Sequence, residues 1–235
     1  MVLSGGDTGT GLRGWFARLT SERRPEEPQP ASVSSREPAD GPVVTSKALQ
    51  KFLAYLGTRP APVLLDLGPF SGSNVTYFGQ LLSCKVLIGD VLTDLDRHVR
   101  EGHIAEIPSF LSKRFTHDEA SVDGVLLWDV YDYLERPAAQ ALSTALVRAL
   151  RPDGALLGFF GSSDHTCIGC TKFVVEDESH VRLRPYASGL ERHSRLQNRE
   201  ILKMFEGLRV SDSYLLQNGW REMLLRKGGT GRPII

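Results

Sequence analysis

The residues whose types and spacing could do chemistry are gathered in VLLDLGPFSGSN, from Val63 to Asn74. Val63, Leu64, Leu65 and Leu67 read as a short strand buried on both faces, and Gly68-Pro69 ends it abruptly. Ser73 or Asn74 is then placed to cap a helix that keeps Val75, Phe78 and Leu82 on one face. A glycine-bearing turn between a buried strand and a helix N-terminus presents bare backbone N–H groups to a ligand, so this stretch reads as a small-molecule cradle. A second apolar run, Lys85 to Gly89, ends at Asp90. That carboxylate lies about twenty residues past the loop, the separation at which nucleotide-binding βαβ units set an acid against ribose hydroxyls. The bland alternative is an ordinary strand-to-helix turn followed by a surface aspartate.

Other candidates lie downstream. Within Val122 to Leu134, a buried strand from Val125 to Trp128 runs into Asp129 at the end where ligands of open α/β sheets collect. Trp128, Asp129 and Tyr131 are therefore pocket candidates, against a plain packing role at a strand-to-helix corner. Asp129, Tyr131, Asp164, His165 and His193 are candidates to move a proton, although a lone loop histidine is more often solvated or structural. His165, Cys167 and Cys170 could furnish three zinc ligands, yet no fourth stands nearby, and free thiols in a loop are the preferred reading. No metal is expected.

The elements that must position these residues follow from periodicity. Thr45 or Ser46 can cap a helix from Lys47 to Leu56, stopped by Gly57. After Asp90 the pattern weakens: Asp94 to Arg100 and Ile107 to Phe115 are apolar-periodic pieces with no clear strand between them. Pro137 opens a helix striped with Leu142, Ala145, Leu146 and Ala149, Arg151 to Gly154 is a turn, and Ala155 to Phe160 is another buried strand. Phe173 to Leu183 alternates like a hairpin and could serve as a lid. Gln197 to Phe205 is helical, and Leu208 to Leu216 pairs with Trp220 to Arg226 through Asn218-Gly219. Alternating strands and helices argue for a parallel sheet with right-handed crossovers.

With 235 residues, 41% of them hydrophobic, the chain suits one α/β core. The expected organisation is a disordered tail over 1–42, a domain over 43–227 with an inserted hairpin at 171–184, and a flexible tail over 228–235. Leu12, Trp15, Phe16 and Leu19 could form a short helical face for weak docking to a surface or partner within that first tail. The 28 basic residues balance the 28 acidic ones, so bulk charge does not indicate nucleic acid. Three cysteines, no transmembrane run and no secretory signal fit a cytoplasmic protein.

Taken in order, these segments resemble the class I S-adenosylmethionine-dependent methyltransferases across roughly Lys47 to Arg226. VLLDLGPFSGSN resembles the family's first motif, the acid-bearing glycine loop that holds the methionine end of the cofactor. IGD, ending in Asp90, resembles the second. VDGVLLWDVYDYL resembles the fourth-strand segment, and the last hairpin the closing antiparallel strands. The resemblance implies a Rossmann-like three-layer sandwich with a mostly parallel seven-stranded sheet in the order 3-2-1-4-5-7-6, strand 7 reversed. It further implies that S-adenosyl-L-methionine is held by Asp66, Gly68, Pro69, Phe70, Ser71, Gly72, Asn74, Asp90, Trp128 and Asp129, and that a methyl group moves to an acceptor, here a small molecule. Two departures stand out. Pro69 and Phe70 replace the commoner Gly-x-Gly-x-Gly spacing, removing one backbone donor, and the third strand is not recognisable, leaving His117 or Asp118 as the nearest substitute for its acid. The competing reading is a catalytically inactive module that keeps the fold for binding. Gly-x-Gly-x-x-Gly occurs only at Gly9 to Gly14, in the first tail and not after a strand, which disfavours nicotinamide cofactors, and the absence of Gly-Lys-Ser/Thr excludes a P-loop.

Overall fold

A computed structural model describes residues 41–161, 169–192, 196–217 and 219–229. Residues 1–40 of the first tail, with its Leu12 to Leu19 stretch, and Asp164, His165, Cys167 and His193 lie outside the described residues.

Ser46 caps α1 (Lys47–Leu56), its hydroxyl accepting from Leu49 N. The buried carboxylate of Glu222 reaches across from the far end of the chain to accept from Lys47 N at 3.0 Å and Ala48 N at 3.1 Å, and it also bonds the Ser46 hydroxyl. An anion on the free N–H groups of a helix start is favourable, and here it ties the first helix to the last strand.

Strands β2 (Val63–Asp66), β3 (Lys85–Ile88), β4 (Val122–Trp128), β5 (Leu150–Gly161), β8 (Leu208–Leu215) and β9 (Trp220–Lys227) form one sheet in the order β3-β2-β4-β5-β9-β8. All adjacent pairs as far as β5 are parallel, and β9 runs antiparallel to both β5 and β8. This is the implied order and sense less its third strand. In that strand's place α3 (Val91–Arg100) and α4 (Ile107–Arg114) carry the chain straight back to β4. The expected turn at Arg151 to Gly154 is a bulge inside β5, where the register jumps from Leu150 to Ala155 and Asp153 takes φ of 62°.

Alternation along the strands splits the core in two. Leu65, Leu67, Val125, Leu127 and Leu156 pack with α3, α4, α5 (Arg136–Ala149) and α6 (Asn198–Met204). Leu64, Leu126, Trp128, Leu157 and Phe159 pack with α1, α2 (Gly72–Leu82) and a second, three-stranded sheet. That sheet has the order β1-β7-β6, from β1 (Val43–Thr45), β6 (Cys170–Val175) and β7 (His180–Tyr186). The inserted hairpin is thus one part of a larger unit rather than a free flap, because β1 gives it a third strand.

Candidate active site at the carboxyl ends of the parallel strands

The strand order reverses between β2 and β4, and the crevice outside such a reversal is where open α/β sheets bind ligands. Asp66 ends β2 and Trp128 ends β4, so the two face each other across it. The Trp128 indole N–H donates to Asp66 Oδ1 at 2.7 Å, and Gly68 N donates to the same oxygen at 3.0 Å. Gly68 is required here, because a methyl group on its Cα would overlap the indole. Trp128 also takes φ of 50°, unusual for so bulky a side chain, beside a register shift between β4 and β5. Its ring stacks on Phe173 of β6 at 5.0 Å between centroids. Burial pushes the Asp66 carboxyl up to about 6, against the bonds from Trp128, Gly68 and Asn74; the Asp90 charge adds to the rise.

Ser71, not Ser73 or Asn74, caps α2, its hydroxyl accepting from Asn74 N, so the turn after β2 is shorter than the sequence reading expects. Asn74 is 1% exposed, and both ends of its amide are engaged: Nδ2 donates to Phe173 O and Oδ1 accepts from Val175 N, each at 2.9 Å. An amide can satisfy two strand-edge groups at once, which is why it sits under the hairpin. Gly68 and Pro69 are buried, whereas Phe70 is 55% exposed and Gly72 and Ser73 face outward.

Asp90 differs. It lies two residues past the end of β3 and starts α3 in the left-handed region at φ of 41°, a conformation aspartate tolerates, with no side-chain bond to the helix it precedes. Its Oδ1 is buried and has no hydrogen-bond partner among the described residues. A buried carboxylate oxygen without a donor is costly.

A third acid lies after β4. Asp129 is fully buried; Oδ2 accepts from Arg192 Nη2 at 3.1 Å, while Oδ1 has no partner among the described residues. Asp132, three residues on, accepts from Arg192 Nη1 at 2.9 Å and from Gly161 N through both oxygens at 3.1 Å. Burial, with the Asp132 charge beside it, pushes Asp129 up to about 8 although Arg192 opposes it. Burial pulls the Arg192 guanidinium down, but Asp132, Tyr133 and Asp129 outweigh it and hold its pKa above the ordinary value. One cation between two carboxylates leaves a negative excess, and a proton on Asp129 relieves it.

Tyr131 is not with them. Its hydroxyl meets Ser143 Oγ at 2.8 Å beneath α5, in the core. His117 and Asp118 precede the amino end of β4, where Arg148 donates to His117 O, so they stand at the opposite end of the sheet from Asp90. Cys170 is a buried free thiol, and no group of three metal-ligating side chains occurs among the described residues. Asp132, Tyr133 and Arg192 were not singled out as a site in the sequence. The Asp129 and Asp132 spacing is visible in the sequence, but nothing there marks a distant arginine as their counter-ion.

No protein-family model matches the sequence, and no curated protein matches it. Among solved structures the chain is similar to many S-adenosylmethionine-dependent methyltransferases. One is the 1,6-didemethyltoxoflavin-N1-methyltransferase of Burkholderia thailandensis, with bound 1,6-didemethyltoxoflavin and S-adenosylhomocysteine (20% identity, 77% of this chain and 76% of that chain covered, TM-score 0.44). Others are an S-adenosylmethionine-dependent methyltransferase from Mesorhizobium loti (14%, 76% and 98%, 0.48) and one from Methanosarcina mazei (12%, 75% and 96%, 0.46). At these TM-scores the likenesses add no weight to the strand order and sense described above.

Proposed function

We propose that this chain is an S-adenosyl-L-methionine-dependent methyltransferase acting on a small-molecule acceptor. The observation that carries the reading is Asp90: a carboxylate past the carboxyl end of the strand beside the glycine turn, with a buried oxygen that has no donor among the described residues. A ribose hydroxyl is such a donor, and the residues fit it. Asp90 would hold the sugar, and the turn from Gly68 to Gly72, with Asp66 beneath it, the amino-acid end. When bound, the cofactor supplies a methyl group already activated by its sulfonium. The protein's remaining tasks are to align the acceptor and exclude water, and alignment is itself worth a large part of such a barrier. Asp129, placed past the end of β4, is the group to take an acceptor proton once its own has left, above about pH 8.

A small acceptor accords with the balanced charge. No helix among the described residues is long and apolar enough to cross a membrane. The free thiols Cys84 and Cys170 accord with a reducing, cytoplasmic setting.

One observation favours the second reading, a catalytically silent module: the Trp128 indole already spans the crevice from Asp66 to Phe173. Calorimetry of the full chain with S-adenosylmethionine and S-adenosylhomocysteine separates the two. The enzyme reading expects binding that Asp90→Ala weakens about tenfold, the loss of one hydrogen bond to a charged group. Absence of binding to the native chain, with a cooperative unfolding transition intact, leaves the silent module standing. A radiolabelled methyl-transfer screen over small molecules, RNA and protein then identifies the acceptor class.

A further inference from the structure

A cavity of about 760 Å³ includes none of Asp66, Gly68, Asp90 or Trp128 among its described lining. Leu95 and Val99 of α3, Ile104 and Ile107 of the segment that follows, and Leu134 and Leu190 opposite them make it largely apolar. Gly189 closes it because its N–H, at 2.9 Å, and the Ser188 hydroxyl, at 3.2 Å, both bond Asp96 Oδ1 of α3. That pair staples the 188–190 loop to the helix.

The charges around this apolar space have one sign. Glu135 and Glu191 both line it and both are exposed, and neither has an ion-pair partner among the described residues. No Lys, Arg or His occurs in the described lining. The nearby cations are spent elsewhere. Arg192 lies behind Tyr133, neutralised by Asp129 and Asp132, and Arg136 is paired with Glu200. The third ionisable lining group, Tyr133, turns its hydroxyl away to donate to Gly169 O at 2.8 Å. An apolar body is therefore favoured by the walls, and a positive charge by the mouth; an anion is repelled by both carboxylates.

We infer that this cavity binds a small organic cation, an apolar molecule bearing a protonated amine, with Glu135 and Glu191 as the residues that select the charge. The inference does not rest on methyl transfer. It requires only the cavity and its two carboxylates, and a binding measurement reads it without any cofactor.

The test uses three probes of matched shape, 4-phenylbutylamine, 4-phenylbutanol and 4-phenylbutyrate, titrated into the full chain by calorimetry at low and high salt. The amine binds most tightly, about tenfold better than the alcohol at low salt, and the carboxylate binds most weakly. High salt narrows the gap. The double variant Glu135→Gln/Glu191→Gln, at two exposed positions that should leave folding unaffected, removes the advantage of the amine and keeps the binding of the alcohol. Ala105→Trp, which fills the space from another exposed position, weakens all three. Equal binding of amine and alcohol, an amine advantage that survives the double variant, or failure of all three probes to bind the native chain overturns the inference. Because S-adenosylmethionine is titrated separately, a negative result here leaves the methyltransferase reading untouched, and the reverse also holds.

Discussion

Asp66 ends β2 and Asp90 lies two residues past the end of the adjacent parallel β3, so both sit at the carboxyl edge of the sheet, yet their surroundings are opposite. Around Asp66 the polar groups are closed on one another: the indole of Trp128, the amide of Gly68, and Asn74 stapling α2 to the hairpin. Around Asp90 the backbone is held in the left-handed region, and the buried Oδ1 has no hydrogen-bond partner among the described residues. The first arrangement stabilises the fold, and the second does not. The two are separated by a single strand spacing.

The largest effect should come from breaking the closed side. Trp128→Ala removes a buried ring that touches Phe159, Phe173 and Gly68, and should cost about 3–5 kcal/mol in denaturant unfolding. A cost under about 1 kcal/mol would show that the indole is a movable plug, which favours the enzyme reading. Asn74→Ala should cost about 2–3 kcal/mol by stranding two buried hairpin groups, and the Val175 amide should lose its protection from hydrogen exchange.

Asp129 sharpens the comparison through pH. Its folded carboxyl titrates near 8 and an unfolded one near about 4. Between those values the folded chain keeps a proton that the unfolded chain has released, so stability falls as pH rises through that window. Asp66, raised to about 6, acts in the same sense at the acid end. Replacing Asp129 by Asn removes its part of the slope. Relative to the native chain, the variant should gain on the order of 1–3 kcal/mol between pH 5 and pH 8. Parallel stability curves for the two proteins would mean that Asp129 stays ionised throughout.

The smallest effect on folding belongs to Asp90. Asp90→Asn should change stability by no more than about 0.5 kcal/mol, since no bond from its side chain to the described residues is lost, while weakening S-adenosylmethionine binding. A large stability loss without any change in affinity would put Asp90 among the structural acids, with Asp66.

The elements were largely legible because each repeats a local rule. Alternating strands and helices, the Ser46 cap, the hairpin after Gly161 and the antiparallel strands at the end all follow from periodicity and turn chemistry read within a dozen residues. The α/β class and the reversed β9 are where those rules put them. The pairing of Asn74 with β6, of Glu222 with the start of α1, and of Arg192 with Asp129 and Asp132 joins residues 60 to 175 positions apart. No local pattern encodes such partners, because a carboxylate or an amide looks the same in sequence whether its counterpart is water, backbone or a remote side chain. Which polar groups pair was therefore settled by packing, through the bulge that turns Trp128 toward Asp66 and the fold that brings Arg192 to Asp129 and Asp132.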